Sequence, residues 1–242
     1  MNSRIIARME REYLLRQREH GLPAQFHGEI CIMTAPDVAT DIATLLEGRV
    51  SANLFDPAAR LAAAEVEELV HLATRAPSAY NLQNWRFVAV TSPEAKARLR
   101  EAAYGQAKVS EAAVTFIVVG SHPEAATLGA RLRPSVEAGF MPADMVGGWV
   151  DAVAAAYGAD PVAARDEAVR SATLAASFMM VAAAARGLAS GPMVGFDPAK
   201  VAAEFDLTEG EVPVMLLAVG RAAPGNWPQK PRRPLREVLS HA

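Results

Sequence analysis

The chain has 242 residues, with 24 Lys and Arg against 27 Asp and Glu, and its net charge of −3 excludes the global basic footprint of a nucleic-acid-binding protein. With 51% apolar residues and no composition typical of a linker, it reads as one buried core rather than two. One cysteine, Cys31, excludes an internal disulfide framework and any CxxC motif, and within Ile30-Cys31-Ile32-Met33 it reads as a small apolar residue. His20, His27, His71, His122 and His241 show neither H-x-H nor HExxH spacing, which argues against a metal site. No apolar run reads as a membrane span or a signal peptide, so a cytoplasmic location is expected.

In chain order, Met1 to His20 is Arg-rich, interleaved with Glu10, Glu12 and Glu19. Ile5, Met9 and Tyr13 at helical spacing allow an amphipathic helix; a disordered lead, or one packed on a partner subunit, fits equally well. Residues 1–36 are thus set aside as an extension, and 37–242 form a single domain. Asp37 to Leu46 predicts a helix with Gly48 at its stop. Asp56-Pro57 predicts the start of a second helix, with Val66, Leu69, Val70 and Ala73 on one face and an end near Ala76, because Pro77 disfavours the helical region there. Phe87 to Thr91 is β-prone, and Ser92-Pro93-Glu94 opens a helix to about Ala103. Val114 to Val119 predicts a second strand.

Residues 121–164 are punctuated by proline and glycine, with Phe140, Trp149 and Tyr157 either shaping a substrate mouth or serving as core aromatics. Glu167 to Arg186 predicts a helix apolar nearly all round, hence a buried central one, ended by Gly187. Met193 to Phe196 reads as a loop, Asp197-Pro198 as a helix start, and Val214 to Val219 as a third strand. Strands alternating with helices argue for a mixed sheet flanked by helices, an α+β arrangement. No GxGxxG follows a strand, which disfavours a Rossmann nucleotide site.

Two groups of polar residues need an explanation. Ser78, Asn81 and Gln83 lie in the turn Ala76 to Phe87, where they either bond their own backbone or serve a ligand. Arg49, Ser51 and Asn53 alternate in extended chain, and Lys230 and Arg232 do the same among prolines near the C-terminus. If these converge, they suit a phosphate dianion; otherwise the second set is a solvated basic tail.

The turn Pro77-Ser78-Ala79-Tyr80-Asn81-Leu82-Gln83-Asn84-Trp85 resembles the P-S-(S/A)-x-N-x-Q-P-W signature of the FMN-dependent nitroreductase family, with Asn84 in place of the usual proline. Arg49-Val50-Ser51-Ala52-Asn53, Gly191 to Asp197 and Lys230 to Leu235 resemble further family segments in the same order, so the resemblance covers roughly residues 38 to 240. It implies a nitroreductase-type α+β fold, an intertwined homodimer and two FMN sites at the subunit interface. It assigns the FMN phosphate and ribityl chain to Arg49, Val50, Ser51, Lys230 and Arg232. Asn53, where many relatives carry Lys or Arg, would face the flavin pyrimidine edge, and Lys108 its N1–O2 edge. Met193, Val194 and Gly195 would lie near N5, while Pro77, Ser78, Ala79 and Asn81 would reach the flavin from the partner subunit and Gln83 would either bond the flavin or brace the loop.

The implied activity is reduction of nitroaromatic compounds or quinones by NADPH or NADH in a ping-pong cycle. A flavin-dependent reductase of enones or small aldehydes, a flavin-destroying enzyme and a non-catalytic flavin-binding protein share the same resemblance. No Ser-His-Asp set, paired carboxylates or metal cluster is evident in the sequence, as suits an enzyme whose cofactor carries the chemistry.

Overall fold

The computed structural model describes residues 35–242, with side chains described from residue 42. The possible helix through Ile5, Met9 and Tyr13, and Cys31, lie outside the described residues. The chain divides into two compact units, 1–43 and 44–242. Helix α1 spans Ala35–Gly48. Then come α2 (Ala63–Ala73), β1 (Trp85–Val90), α3 (Pro93–Ala102), α4 (Lys108–Glu111) and β2 (Val114–Ser121). The remainder is α5 (Ala125–Glu137), α6 (Met145–Tyr157), α7 (Pro161–Ala185), β3 (Ala189–Met193), α8 (Pro198–Glu204) and β4 (Glu211–Gly220).

The strands pair in the order β1-β2-β4-β3, each neighbour antiparallel. One parallel pairing, the bridge between Ser51 and Ser190, joins the chain after α1 to this sheet. Alternation along β2 and β4 explains why both read as unbroken apolar runs. Val114, Phe116, Val118, Leu217 and Val219 face a core shared with α2 and α7, while Ile117, Val119, Leu216 and Ala218 face a second core containing Phe55, Leu99, Val109 and Val201. Side chains such as Phe116 and Leu217, at 0% exposure, each contribute about 1.5–3 kcal/mol by burial.

Helix α7 packs on all four strands and on α2. Its apolar surround made it read as buried, and Ala168, Ala172, Ala175, Ala176, Met179 and Ala183 are. Leu174 and Phe178, one turn apart, instead stand 38% and 42% exposed, a correction to that reading. A second correction concerns length: α7 starts at Pro161, capped by Asp160, rather than at Glu167, and although it is long and apolar enough to cross a membrane its packing on the sheet marks it as a core helix. Gly187, at φ 68, ends it as the sequence indicates. The close fit to the sheet rests on Gly120, where a Cβ would lie 2.3 Å from the Ala168 carbonyl oxygen.

The helix assigned to Asp56-Pro57 begins six residues later. Asp56 Oδ1 accepts from the Ala58 N–H in a local turn, and α2 starts where Glu65 reaches back to the Ala62 N–H. Gly48 is the last residue of α1 rather than a left-handed stop. The segment from Ala189 to Met193, part of which was read as a plain connection, is the edge strand β3.

An ion pair spans β2: Arg86 of β1 donates from Nε and Nη2 to the carboxylate of Glu211 at the start of β4, at 2.7 and 2.8 Å. These bonds, with those from the Thr208 N–H and hydroxyl, push the Glu211 carboxyl down to about 2 from 4.5. A depressed carboxyl stabilises the fold above its unfolded value and ceases to do so as pH falls through the folded one. The stability advantage of the native chain over Glu211→Gln should therefore be full above about pH 4.5 and fade towards pH 2, as read by thermal denaturation across that range. An advantage that does not change with pH would show that the pair contributes nothing.

Candidate functional site

Residues 49–56 and 221–229 run side by side. Asp56 N donates to Arg221 O, Phe55 bridges Ala222, and Ala223 N donates to Leu54 O. Asn226 Oδ1 then accepts from the Asn53 and Leu54 N–H groups at 2.8 and 3.0 Å while its Nδ2 donates to Leu54 O. Further along, Gln229 Nε2 donates to Arg49 O at 2.7 Å. On the other side, Ala52 N donates to Ser190 O of β3. This contact is close because position 191 is glycine: a Cβ there would sit 2.3 Å from the Ala52 carbonyl oxygen. Ala52 points inward at 1% exposure while Ser51 and Asn53 are exposed, which is the expected period-two alternation.

This pairing brings the two basic segments together. Arg232 Nη2 donates to Gln229 Oε1 at 2.8 Å, and Lys230 lies with its ammonium 5.7 Å from the Trp227 ring centre. From the start of α4, Lys108 Nζ donates to Asn53 Oδ1 at 3.2 Å. Burial, and then the nearby charge of Lys230, holds the Lys108 ammonium below the usual lysine range. None of Arg49, Lys108, Lys230 and Arg232 forms an ion pair with a described carboxylate. Arg233, by contrast, is paired with Glu237. Arg49 Nη1 is buried with no hydrogen-bond partner among the described residues. A desolvated guanidinium nitrogen without a described partner suits an anionic ligand. A cleft of about 300 Å³ opens beside Arg49 and Val50, walled by Gly187, Leu188 and Ser190; Lys108, Lys230 and Arg232 do not line it.

The turn from Pro77 to Gln83 shares no hydrogen bond with this cluster among the described residues. Ser78 is committed locally, its Oγ accepting from the Gln83 N–H at 2.9 Å, so for this hydroxyl the turn-chemistry alternative holds. Tyr80, Asn81 and Gln83 all adopt positive φ, at 51, 53 and 46°, a conformation that costs roughly 1–2 kcal/mol for most non-glycine residues. Burial offsets that cost. Leu82, fully buried, anchors the turn in a third core with Leu128, Leu132, Met141 and Val153, and Arg131 donates to its carbonyl. Asn84, the departure from the signature, is fully buried and donates to Ser121 O at 2.8 Å, tying the turn to the end of β2. Trp149 meets Tyr80 edge-on with ring centres 5.7 Å apart, and Tyr157 packs in the same core. Of the three aromatics in this region, only Phe140 is largely exposed, at 63%.

At the end of β3, Met193 is buried, whereas Val194 and Gly195 are exposed. Gln106 Nε2 donates to Gly195 O at 2.6 Å, and the Gly195 N–H meets no acceptor among the described residues. Asn226, Gln229 and Gln106 escaped the sequence reading. Single amides among glycines and prolines carry no spacing signal, and their partners lie far away in the chain.

The Nitroreductase family profile matches residues 46–221, a span that includes the Arg49 segment, the turn and the end of β3. The chain belongs to the nitroreductase family. Among its relatives, YodC of Bacillus subtilis strain 168, provisionally named an NAD(P)H nitroreductase, is 33% identical over 82% of this chain and 98% of its own. DrgA of Synechocystis is 35% identical over 73% of this chain and 83% of its own. A structure from Exiguobacterium sibiricum, provisionally named a nitroreductase and solved in complex with FMN, has a TM-score of 0.76 at 28% identity and covers 84% of this chain and 97% of its own. The enone reductase CLA-ER of a gut-bacterial fatty acid saturation metabolism has a TM-score of 0.74 at 25% identity, with 83% and 97% covered.

Proposed function

We propose that this member of the nitroreductase family binds FMN and uses NAD(P)H to reduce small aromatic oxidants, nitroaromatic compounds first and quinones next. The observation that carries the proposal is the buried Arg49 nitrogen without a described partner, on a segment that the Gln229 amide ties to the one carrying Lys230 and Arg232. The donor chemistry fits one phosphate: the Arg49 and Arg232 guanidinium groups, the Lys230 ammonium and the Ser51 hydroxyl would hold it, with Val50 alongside. Asn53 and Lys108 would address the pyrimidine edge, where Lys108 restores the positive charge that Asn53 lacks. Met193, Val194 and Gly195 would border the ring with the free Gly195 N–H directed to it. With FMN bound, the flavin supplies hydride acceptance from NADPH or NADH and delivery to the oxidant, a ping-pong cycle.

The strained turn makes no hydrogen bond to this cation set among the described residues, which supports a homodimer in which Pro77, Ser78, Ala79, Asn81 and Gln83 serve the partner's FMN. The exposed Leu174 and Phe178 on α7 support an interface as well. A cytoplasmic enzyme acting on soluble oxidants agrees with this reading. The likeness to CLA-ER favours enone reduction as the second reading. Incubation of FMN-loaded protein with NADPH and a nitroarene should consume NADPH and yield hydroxylamine or amine by mass spectrometry. NADPH consumption with an enone alone would replace the first reading by the second, and no consumption with any oxidant would leave a non-catalytic flavin-binding protein.

A further inference from the structure

We infer that Gln229 is a positioning residue that assembles the cation set, an inference that rests on the phosphate-site reading above. Its carboxamide joins the two halves of the set, which are separated by 180 residues of chain. On one side Nε2 donates to the Arg49 carbonyl at 2.7 Å. On the other side Oε1 accepts from Arg232 Nη2 at 2.8 Å and from the Lys230 N–H at 3.1 Å. A single planar amide thus sets the position of the Lys230 backbone and the direction of the Arg232 guanidinium relative to Arg49. Without it these cations would sit on an extended, exposed segment whose Arg232 side chain has, among the described residues, one other bond, a long one to the Lys230 carbonyl at 3.4 Å.

The neighbouring basic residue shows what a different partner does. Arg233, one position on, is taken up by Glu237 at 3.2 Å and is lost to the set. A neutral amide in the Gln229 position orients Arg232 without neutralising it, which leaves the charge available to an anion. A carboxylate in the same place would orient it equally well and cancel it. The role therefore requires an amide, which can donate to a carbonyl and accept from a guanidinium at once.

The test is FMN affinity, read from flavin fluorescence quenching on titration into apo protein. Gln229→Ala should bind FMN about tenfold more weakly, the loss typical of one misplaced charge-assisted contact, with thermal stability near native. Because Gln229 acts in part through Arg232, the double variant Gln229→Ala/Arg232→Ala should lose less than the sum of the two single losses. Gln229→Glu should bind more weakly than Gln229→Ala, since it keeps the Arg232 contact but adds a negative charge. Fully additive losses, or a Gln229→Glu variant that binds as the native chain does, would overturn the positioning role while leaving the phosphate site standing. Native protein that takes up neither FMN nor inorganic phosphate would overturn both.

Discussion

Gly191→Ala should lower stability by about 3 kcal/mol and weaken FMN binding in the same step, although it adds a single methyl group. The added Cβ would stand 2.3 Å from the Ala52 carbonyl oxygen, with the Phe55 ring at 3.6 Å behind it. The obstructing atom is backbone, so no rotamer change relieves the overlap. The strand carrying Arg49, Ser51 and Asn53 must move off β3, breaking the Ala52–Ser190 bond and taking the cation set with it. For a domain of this size such a loss lowers the melting temperature by about 10 °C. Thermal denaturation and an FMN titration on the same sample check both effects. A native melting temperature would show that the 49–53 segment yields without cost, and the account of how β3 positions it would be wrong.

Arg49→Ala should act on the site alone. The contact that docks the C-terminal segment runs from Gln229 to the Arg49 carbonyl, which every substitution keeps. Removing the side chain also removes a buried nitrogen that has no described partner, so the folded protein loses little without a ligand. With FMN the loss should be large: a charge-assisted contact contributes roughly 1.5–3 kcal/mol, about ten- to a hundredfold in affinity. Activity should return with excess FMN. Arg49→Lys should recover only part of the affinity, because an ammonium cannot offer the forked pair of donors. Full activity lost at saturating FMN would assign Arg49 to the chemistry instead of to binding.

The parts of this molecule that were legible in its sequence are those where burial and periodicity agree. Val114 to Val119 and Leu216 to Val219 are buried on both faces of the sheet, and a run of β-prone residues reports that directly. Asp197-Pro198 caps α8 as its residue types indicate, with Oδ1 accepting from the Ala199 and Lys200 N–H groups. Strand β3 was illegible because Ala-Ser-Gly-Pro-Met has no β-branched residue. It owes its conformation to pairing with β4, and its edge position tolerates Pro192. Asp56-Pro57 misled because an aspartate capping a two-residue turn and one capping a helix look alike in sequence.

In the site, the alternation of Arg49, Ser51 and Asn53 was visible, and so was the cationic character of Lys230 and Arg232. What joins them was not, because Asn226 and Gln229 act over more than 170 residues through single amides. The insert between β2 and α7 hid its role for a similar reason. Trp149 and Tyr157 form the core under the signature turn, a contact that neither segment announces alone.

The central claim is that the converging cations hold the phosphate of a flavin mononucleotide, and parallel titration of apo protein with FMN and with riboflavin tests it most directly. The two ligands share the ring and the ribityl chain and differ only in the phosphate. The account predicts one FMN taken up per chain and riboflavin bound at least about tenfold more weakly, with the gap narrowing as salt screens the cations. Equal affinity for the two, or no uptake of either, would contradict it.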